Sequence, residues 1–140
     1  GPKSHASVKA ELDPIPAGCV LVGYEDRMAD AYAMADLVLC RAGSSTLAEL
    51  TAIGKPSVLV PSPNVTDNHQ EGNARGLEAV GAAVVVVEQG LDVDGTVAQI
   101  GSLLADAETL ERMAVSAQGQ GHLDTASRVA GLLEERFLAS

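Results

Sequence analysis

The sequence predicts an α/β fold in which helices flank a parallel β-sheet, and three observations support this prediction. Short apolar runs rich in Val and Leu alternate with helical segments along most of the chain. These runs are apolar throughout, which is typical of strands buried on both faces of a parallel sheet. Only three of the 140 residues are aromatic, so the core is expected to consist of Ala, Val and Leu. The length suits one domain, predicted as residues 1–140.

Strands and helices are predicted in alternating order. The predicted strands are the short apolar runs Cys19–Gly23, Leu37–Cys40, Ser57–Pro61 and Ala82–Glu88. The predicted helices are the segments Lys3–Leu12, Met28–Ala35, Ser45–Ile53, His69–Val80 and Asp92–Leu104. From Asp106 onward the sequence has only helix signals, with a break around Gln118–Gly121. Because open parallel sheets bind ligands beyond the carboxyl ends of their strands, a site is expected in the loops that follow the strands.

The acidic composition argues against two classes of partner. A formal net charge of −10 disfavours nucleic acid and the surface of an anionic membrane. No apolar run approaches the roughly 18 residues that cross a bilayer, and we expect no signal peptide. Cys19 and Cys40 stand in apolar runs without C-x-x-C spacing and are predicted to be buried thiols. His5, His69 and His122 lack the spacing of metal ligands, so no metal and no cofactor is expected.

The segment from Leu37 to Glu49 predicts a buried strand that passes through a glycine turn into a helix. Such a junction directs unpaired backbone N–H groups at one point, which suits a phosphate. The predicted cradle consists of the four consecutive residues Gly43, Ser44, Ser45 and Thr46. Glu49 lies one helical turn later, where a carboxylate would meet sugar hydroxyls. The alternative is purely structural, with Ser44 or Ser45 as the helix N-cap, Gly43 allowing the turn and Glu49 an ordinary exposed carboxylate.

A second cluster of polar side chains begins the helix after the loop Ser62–Asn68. The segment Asn68–Asn73 contains His69, Gln70 and Asn73, whose neutral donors and acceptors suit sugar hydroxyls. The alternative is that Asp67 or Asn68 caps the helix and that the other side chains are solvated. No nucleophile or paired carboxylate accompanies His69 in the sequence, so no catalytic residue is predicted.

Other residues are weaker candidates for ligand contacts. Arg41 and Arg75 are candidates for phosphate contacts or, equally, for surface ion pairs. The pair Tyr24-Glu25 follows a predicted strand, where its backbone would face a flat base.

Three motifs in fixed order resemble the carboxyl-terminal domain of the MurG family, the N-acetylglucosaminyltransferases of peptidoglycan synthesis. They are Cys40–Leu50, Gly54–Pro63 and Asp67–Arg75. The resemblance implies a Rossmann-like parallel sheet, the carboxyl-terminal half of a GT-B fold, and UDP-N-acetylglucosamine as donor substrate. It places the uracil on the backbone at Tyr24-Glu25, the diphosphate on the helix start at Ser44-Ser45-Thr46, and the ribose on Glu49. The sugar would meet His69, Gln70 and Asn73.

The resemblance also implies an activity and a cellular role. The family transfers N-acetylglucosamine to lipid I with inversion and forms lipid II at the cytoplasmic membrane face, for cell-wall synthesis, cell shape and cell division. Full members carry an amino-terminal acceptor domain, which has no counterpart within these 140 residues. We therefore expect a fragment that lacks the first strands of its sheet, is soluble and is inactive alone, with an exposed sheet edge that favours self-association.

Two alternatives to a fragment of this transferase stay open at the level of sequence. In the first alternative, the chain is a non-catalytic donor-binding subunit that works with a separate acceptor chain. In the second, it belongs to another GT-B enzyme that uses a UDP-sugar, such as an epimerase or an antibiotic glycosyltransferase.

Overall fold

A computed structural model describes residues 2–63 and 69–121. The chain divides into two compact units, residues 1–35 and 36–140. The unit of residues 1–35 contains the helices α1 (Pro2–Glu11) and α2 (Met28–Met34). The prediction of two helices in this part of the sequence is confirmed.

The predicted strand Cys19–Gly23 is wrong, because this segment is irregular in the structure. The described part of residues 1–35 contains no strand with which it can pair, and β-branched residues form a strand only where a neighbouring strand completes the hydrogen bonds. Val20 is 88% exposed and Val22 is 54% exposed. Cys19 is exposed for the same reason, so its predicted burial is also wrong, whereas Cys40 is half-buried.

Within its described residues, the second unit is built on a three-stranded sheet. Its strands are β1 (Val38–Cys40), β2 (Ser57–Leu59) and β3 (Ala83–Val85). All pairs are parallel in the order β1-β2-β3, with Val38 opposite Ser57 and Ser57 opposite Ala83. The predicted parallel sheet is therefore confirmed, with shorter strands than the apolar runs suggested. Since the strands are in register, their carboxyl ends form one rim.

In its described part, the second unit has four helices that flank or follow the sheet. They are α3 (Ser44–Ile53), α4 (His69–Ala79), α5 (Val93–Ala105) and α6 (Ala107–Gln118). Each lies within two residues of its predicted bounds. Both crossovers, β1–α3–β2 and β2–α4–β3, step in the same direction across the sheet. Right-handed connections therefore place α3 and α4 on one face.

The end of α3 is fixed by a glycine and by close packing on α6. Gly54 has φ +66°, and Lys55 N–H donates to the Leu50 carbonyl at 2.8 Å. A left-handed residue that ends a helix in this way is normally glycine. A Cβ on Gly54 would stand 3.0 Å from the Ala114 carbonyl oxygen of α6, so the close approach of the two helices also requires glycine. This packing holds α3, and with it the start of the helix, in a defined position.

Glu78 connects α4 to β3. Its Oε1 accepts a hydrogen bond from Val85 N at 2.9 Å, and its Oε2 accepts one from Arg75 Nη1 at 2.7 Å. The hydrogen bond from Arg75, followed by the one from Val85, lowers the pKa of the Glu78 carboxyl. The unfolded chain therefore binds more protons than the folded chain between the two pKa values, and stability rises with pH across that range.

We predict that Glu78→Gln lowers the stability of the chain at neutral pH by about 1 kcal/mol, a small value because the ion pair is partly solvated. The carboxylate contributes its full effect above the pKa of the unfolded chain, about 4.3, and loses it as the pH falls through the lower folded value. Urea unfolding at pH 7 and pH 3 measures this, with the exposed Glu111→Gln on α6 as control. A difference between wild type and Glu78→Gln that is equally large at pH 3 would contradict the assignment.

Candidate functional site

The start of α3 carries no side-chain cap. Gly43 is the N-cap residue, and its backbone carbonyl accepts the first helical hydrogen bond, from Leu47 N at 3.0 Å. No side chain caps the helix, although two exposed serines stand in its first turn. The capping alternative for Ser44 and Ser45 is therefore wrong. No described residue accepts a hydrogen bond from the backbone N–H of Ser44, Ser45 or Thr46.

Helices α5 and α6 begin differently, because each has an aspartate as its cap. Asp92 Oδ1 accepts from Gly95 N at 3.0 Å at the start of α5, and Asp106 Oδ1 accepts from Thr109 N at 2.9 Å at the start of α6. Each aspartate satisfies one of the N–H groups that a helix start leaves unpaired. At α3 the same groups are available to an anion, which the positive end of the helix dipole also attracts.

Gly43 has no steric reason to be glycine within the described protein. Its φ of −68° and ψ of 142° are accessible to any residue, so the turn does not depend on glycine as the structural alternative supposed. A Cβ added to Gly43 meets no described atom within 4 Å. Beside the first N–H groups of α3, a ligand can therefore approach the Gly43 backbone without meeting a described side chain.

A cavity of about 450 Å³ lies between α3 and α4. Ser44, from the start of α3, and Asn73, from the first part of α4, both line it, so the structure brings these two predicted residues together. Its other lining residues are Leu47, Ala48, Thr51, Gly72, Gly76, Leu77 and Gln120. Ser45, Thr46 and Glu49 belong to α3 but do not line this cavity. Gln120 follows α6, and no pattern in the sequence indicated it as a residue of this cavity. It reaches the cavity only because α6 packs against α3.

Gln70 is held by the backbone at the end of β2. Its Oε1 accepts a hydrogen bond from Ser62 N at 2.9 Å. An amide oxygen that accepts from the protein leaves the –NH₂ group of the side chain as donor for a ligand. His69, next to it, is exposed at the start of α4. The predicted N-caps Asp67 and Asn68 lie outside the described residues.

Both candidate arginines form ion pairs within the protein. Arg41 Nη1 lies 2.6 Å from Glu88 Oε2 and 3.4 Å from the carbonyl oxygens of Val60 and Pro61. The hydrogen bond from Arg41 lowers the pKa of the Glu88 carboxyl. No pattern in the sequence indicated Glu88 as a partner, because it is 47 residues from Arg41 and only the strand order brings the two side chains to the same rim.

Arg75 is paired on its own helix. Its Nη1 is 2.7 Å from Glu78 Oε2 and its Nη2 is 3.7 Å from Glu71 Oε1. These contacts favour the surface ion pair over the phosphate contact that was its alternative.

Tyr24 and Glu25 belong to the unit of residues 1–35. The Tyr24 side chain is 72% exposed, and Glu25 Oε1 accepts a hydrogen bond from Arg27 N at 2.8 Å. The contact of their backbone with a base stays a prediction.

The described residues contain neither a cluster of metal ligands nor a membrane-spanning helix. In residues 2–63 and 69–121 no three His, Cys, Asp or Glu side chains are placed to hold a metal ion. None of the helices in this part of the chain has the length and apolar character needed to cross a membrane.

Comparison with protein families identifies the relatives of the chain. The family model "Glycosyltransferase family 28 C-terminal domain" matches residues 4–129. The chain is also similar to three bacterial proteins named UDP-N-acetylglucosamine--N-acetylmuramyl-(pentapeptide) pyrophosphoryl-undecaprenol N-acetylglucosamine transferase. It is 48% identical to that of Acetivibrio thermocellus over 108 residues, 44% to that of Oenococcus oeni over 124, and 50% to that of Nitratidesulfovibrio vulgaris over 110.

The three alignments cover much of the chain but little of each relative. They span 77%, 89% and 78% of the chain and 29%, 33% and 30% of the respective relative. The chain therefore spans about a third of the length of the curated relatives it matches. The crystal structure of Acinetobacter baumannii MurG superposes with a TM-score of 0.83 at 30% identity, covering 96% of the chain and 41% of that protein. The predicted fold and the resemblance to the MurG family are confirmed.

The uncapped start of α3 leads to a prediction about stability. Ser45→Ala should leave the free energy of unfolding within about 0.5 kcal/mol of wild type, because the hydroxyl caps nothing. Asp106→Ala should lower it by clearly more than Ser45→Ala does, because it removes the cap of α6. Urea unfolding of both variants makes the comparison, and an equal loss in the two would show that Ser45 has a structural role after all.

Proposed function

Since the chain belongs to the glycosyltransferase family 28 C-terminal domain family, we propose that it binds UDP-N-acetylglucosamine as the donor half of an inverting N-acetylglucosaminyltransferase. In this proposal the acceptor is the lipid-linked muramyl pentapeptide to which the names of its relatives refer. The acceptor would be bound outside the described residues, and the transfer would take place at the cytoplasmic face of the membrane. The chain itself contributes donor binding and no catalytic residue.

One observation carries the proposal. The three N–H groups at the start of α3 have no partner among the described residues, and no described atom lies within 4 Å of the point where a Cβ of Gly43 would stand. A diphosphate is the part of a nucleotide sugar that such a helix start recognises, since it accepts several N–H donors and its charge is stabilised by the helix dipole. In the reaction the same donors would stabilise the charge that develops on the departing UDP.

The other contacts with the donor are proposed from the positions of the residues relative to the start of α3 and from the family resemblance. Glu49 stands one turn along α3 from Ser45, and its carboxylate would accept hydrogen bonds from the ribose hydroxyls. Asn73 shares the cavity with Ser44, and Gln70 and His69 begin the same helix as Asn73. These three would meet the sugar. The resemblance alone assigns the uracil to the backbone at Tyr24-Glu25.

We predict that Gly43→Ala separates binding from stability. The added methyl group meets no described atom within 4 Å, so the free energy of unfolding should stay within about 1 kcal/mol of wild type, since the smaller entropy of the unfolded chain offsets the poorer N-cap that alanine makes. The affinity for UDP should fall by about tenfold or more, because the methyl group enters the path of the diphosphate and pushes it from its hydrogen bonds. Calorimetric titration with UDP measures the affinity, and Gly101→Ala on α5 is the matched control. An unchanged affinity in Gly43→Ala would contradict the placement of the diphosphate.

The role of Glu49 is tested by removing its charge alone. Glu49→Gln should lower the affinity for UDP by about tenfold, which is the expected effect of losing a hydrogen bond to a charged group. It should leave inorganic pyrophosphate unaffected, because that ligand has no ribose. Titration of wild type and variant with both ligands, together with UDP-N-acetylglucosamine, checks this. If wild type binds none of them at millimolar concentration, the proposed function is wrong for this chain, and if Glu49→Gln binds UDP normally, the ribose contact is wrong.

A further inference from the structure

Arg41 occupies a position on the rim of the sheet that ion pairing alone does not explain. It follows β1 directly, yet its guanidinium reaches across the end of β2 to Glu88, beyond the end of β3. On the way Nη1 lies 3.4 Å from the carbonyl oxygens of both Val60 and Pro61. Its contact with Glu88 at 2.6 Å completes the link. One side chain therefore ties together the ends of all three strands.

The next residue of the β2 loop is the one that holds Gln70. Val60 and Pro61 are contacted by Arg41, and Ser62, which follows them, donates its N–H to Gln70 Oε1 at 2.9 Å. Pro61 is buried and Ser62 is half-buried. The contacts form a continuous path from Glu88 through Arg41 and the end of β2 to the amide of Gln70.

Resting on the function proposed above, we propose that Arg41 is a positioning residue for the sugar. It fixes the backbone at the end of β2, and through Ser62 it fixes the oxygen of the Gln70 amide. The –NH₂ group of Gln70 is then directed as a donor to a hydroxyl oxygen of the N-acetylglucosamine unit. In this proposal the guanidinium is engaged by Glu88 and by the two carbonyl groups, and it does not contact the diphosphate.

The alternative role makes a different prediction for two ligands. If Arg41 positions Gln70, its loss lowers the affinity only for a ligand that carries the sugar. If Arg41 contacts the diphosphate, its loss lowers the affinities for UDP and for UDP-N-acetylglucosamine to the same degree. The ratio of the two affinities therefore separates the two roles.

The experiment uses Arg41→Met and Glu88→Gln in the full 140-residue chain, with Arg112→Met as matched control. Arg112 pairs with Glu108 at the same distance of 2.6 Å, on α6. We expect Arg41→Met to bind UDP-N-acetylglucosamine about 2- to 10-fold more weakly, the range for one hydrogen bond, and to bind UDP as wild type does. Glu88→Gln should show a smaller loss in the same direction, since Arg41 keeps its contacts with the two carbonyl groups. Equal losses for both ligands, or no loss for either, would overturn the proposal.

A second measurement tests the positioning role of Arg41 without a ligand. In NMR spectra the Ser62 backbone amide and the Gln70 side-chain amide should shift in Arg41→Met and stay in place in Arg112→Met. Unchanged resonances in Arg41→Met would overturn the positioning role even if wild type bound no nucleotide, a result that would refute the proposed function separately. Resonances that shift together with the sugar-specific loss of affinity would support both links of the path.

Discussion

The uncapped start of α3 is the constraint on which the interpretation of the whole site depends. A helix leaves its first N–H groups without partners, and a protein normally satisfies one of them with a side chain. This chain does so at α5 and α6, with Asp92 and Asp106. At α3, as at the shorter α2, it does not, and the residue that precedes the groups in α3 is Gly43, which has no side chain. An anion is the ligand that such a start selects, even in a protein whose net charge is −10, because the attraction is local to one helix turn.

The parallel sheet gives this helix start its surroundings. Because three strands end in register, the segments after them meet on one rim, and residues far apart in sequence become neighbours. Arg41, after β1, pairs with Glu88, after β3, across the end of β2. In the segment that follows β2, the Ser62 N–H donates to the side-chain oxygen of Gln70. The packing of α3 on α6 at Gly54 fixes the helix from its other end. In the proposed complex, the position of the diphosphate and the orientation of the sugar contacts would thus have separate supports within one fold.

The sequence predicted the elements of this fold better than it predicted their partners. Alternating apolar runs and helix signals identified β1, β2, β3 and the helices around them, because these signals are local. The strand predicted at Cys19–Gly23 is wrong since a strand depends on a neighbour, which a local pattern does not report. In the site, the spacing indicated Gly43 and the serines after it as either a ligand cradle or a cap, and only the hydrogen bonds of the structure show that the serines are not the cap. The partner of Arg41 could not be predicted from the sequence, because only the order of the strands brings Glu88 next to it.

The central claim is that the backbone at the start of α3 holds the diphosphate, and the amide resonances of Ser44, Ser45 and Thr46 report on it directly. In ¹⁵N-labelled chain these three amides should shift on addition of UDP, as N–H groups do when they donate to a charged oxygen. Uridine, which has the same base and ribose without phosphates, should leave them in place. Three amides that stay unmoved while UDP shifts resonances elsewhere, or that respond equally to uridine, would contradict the account.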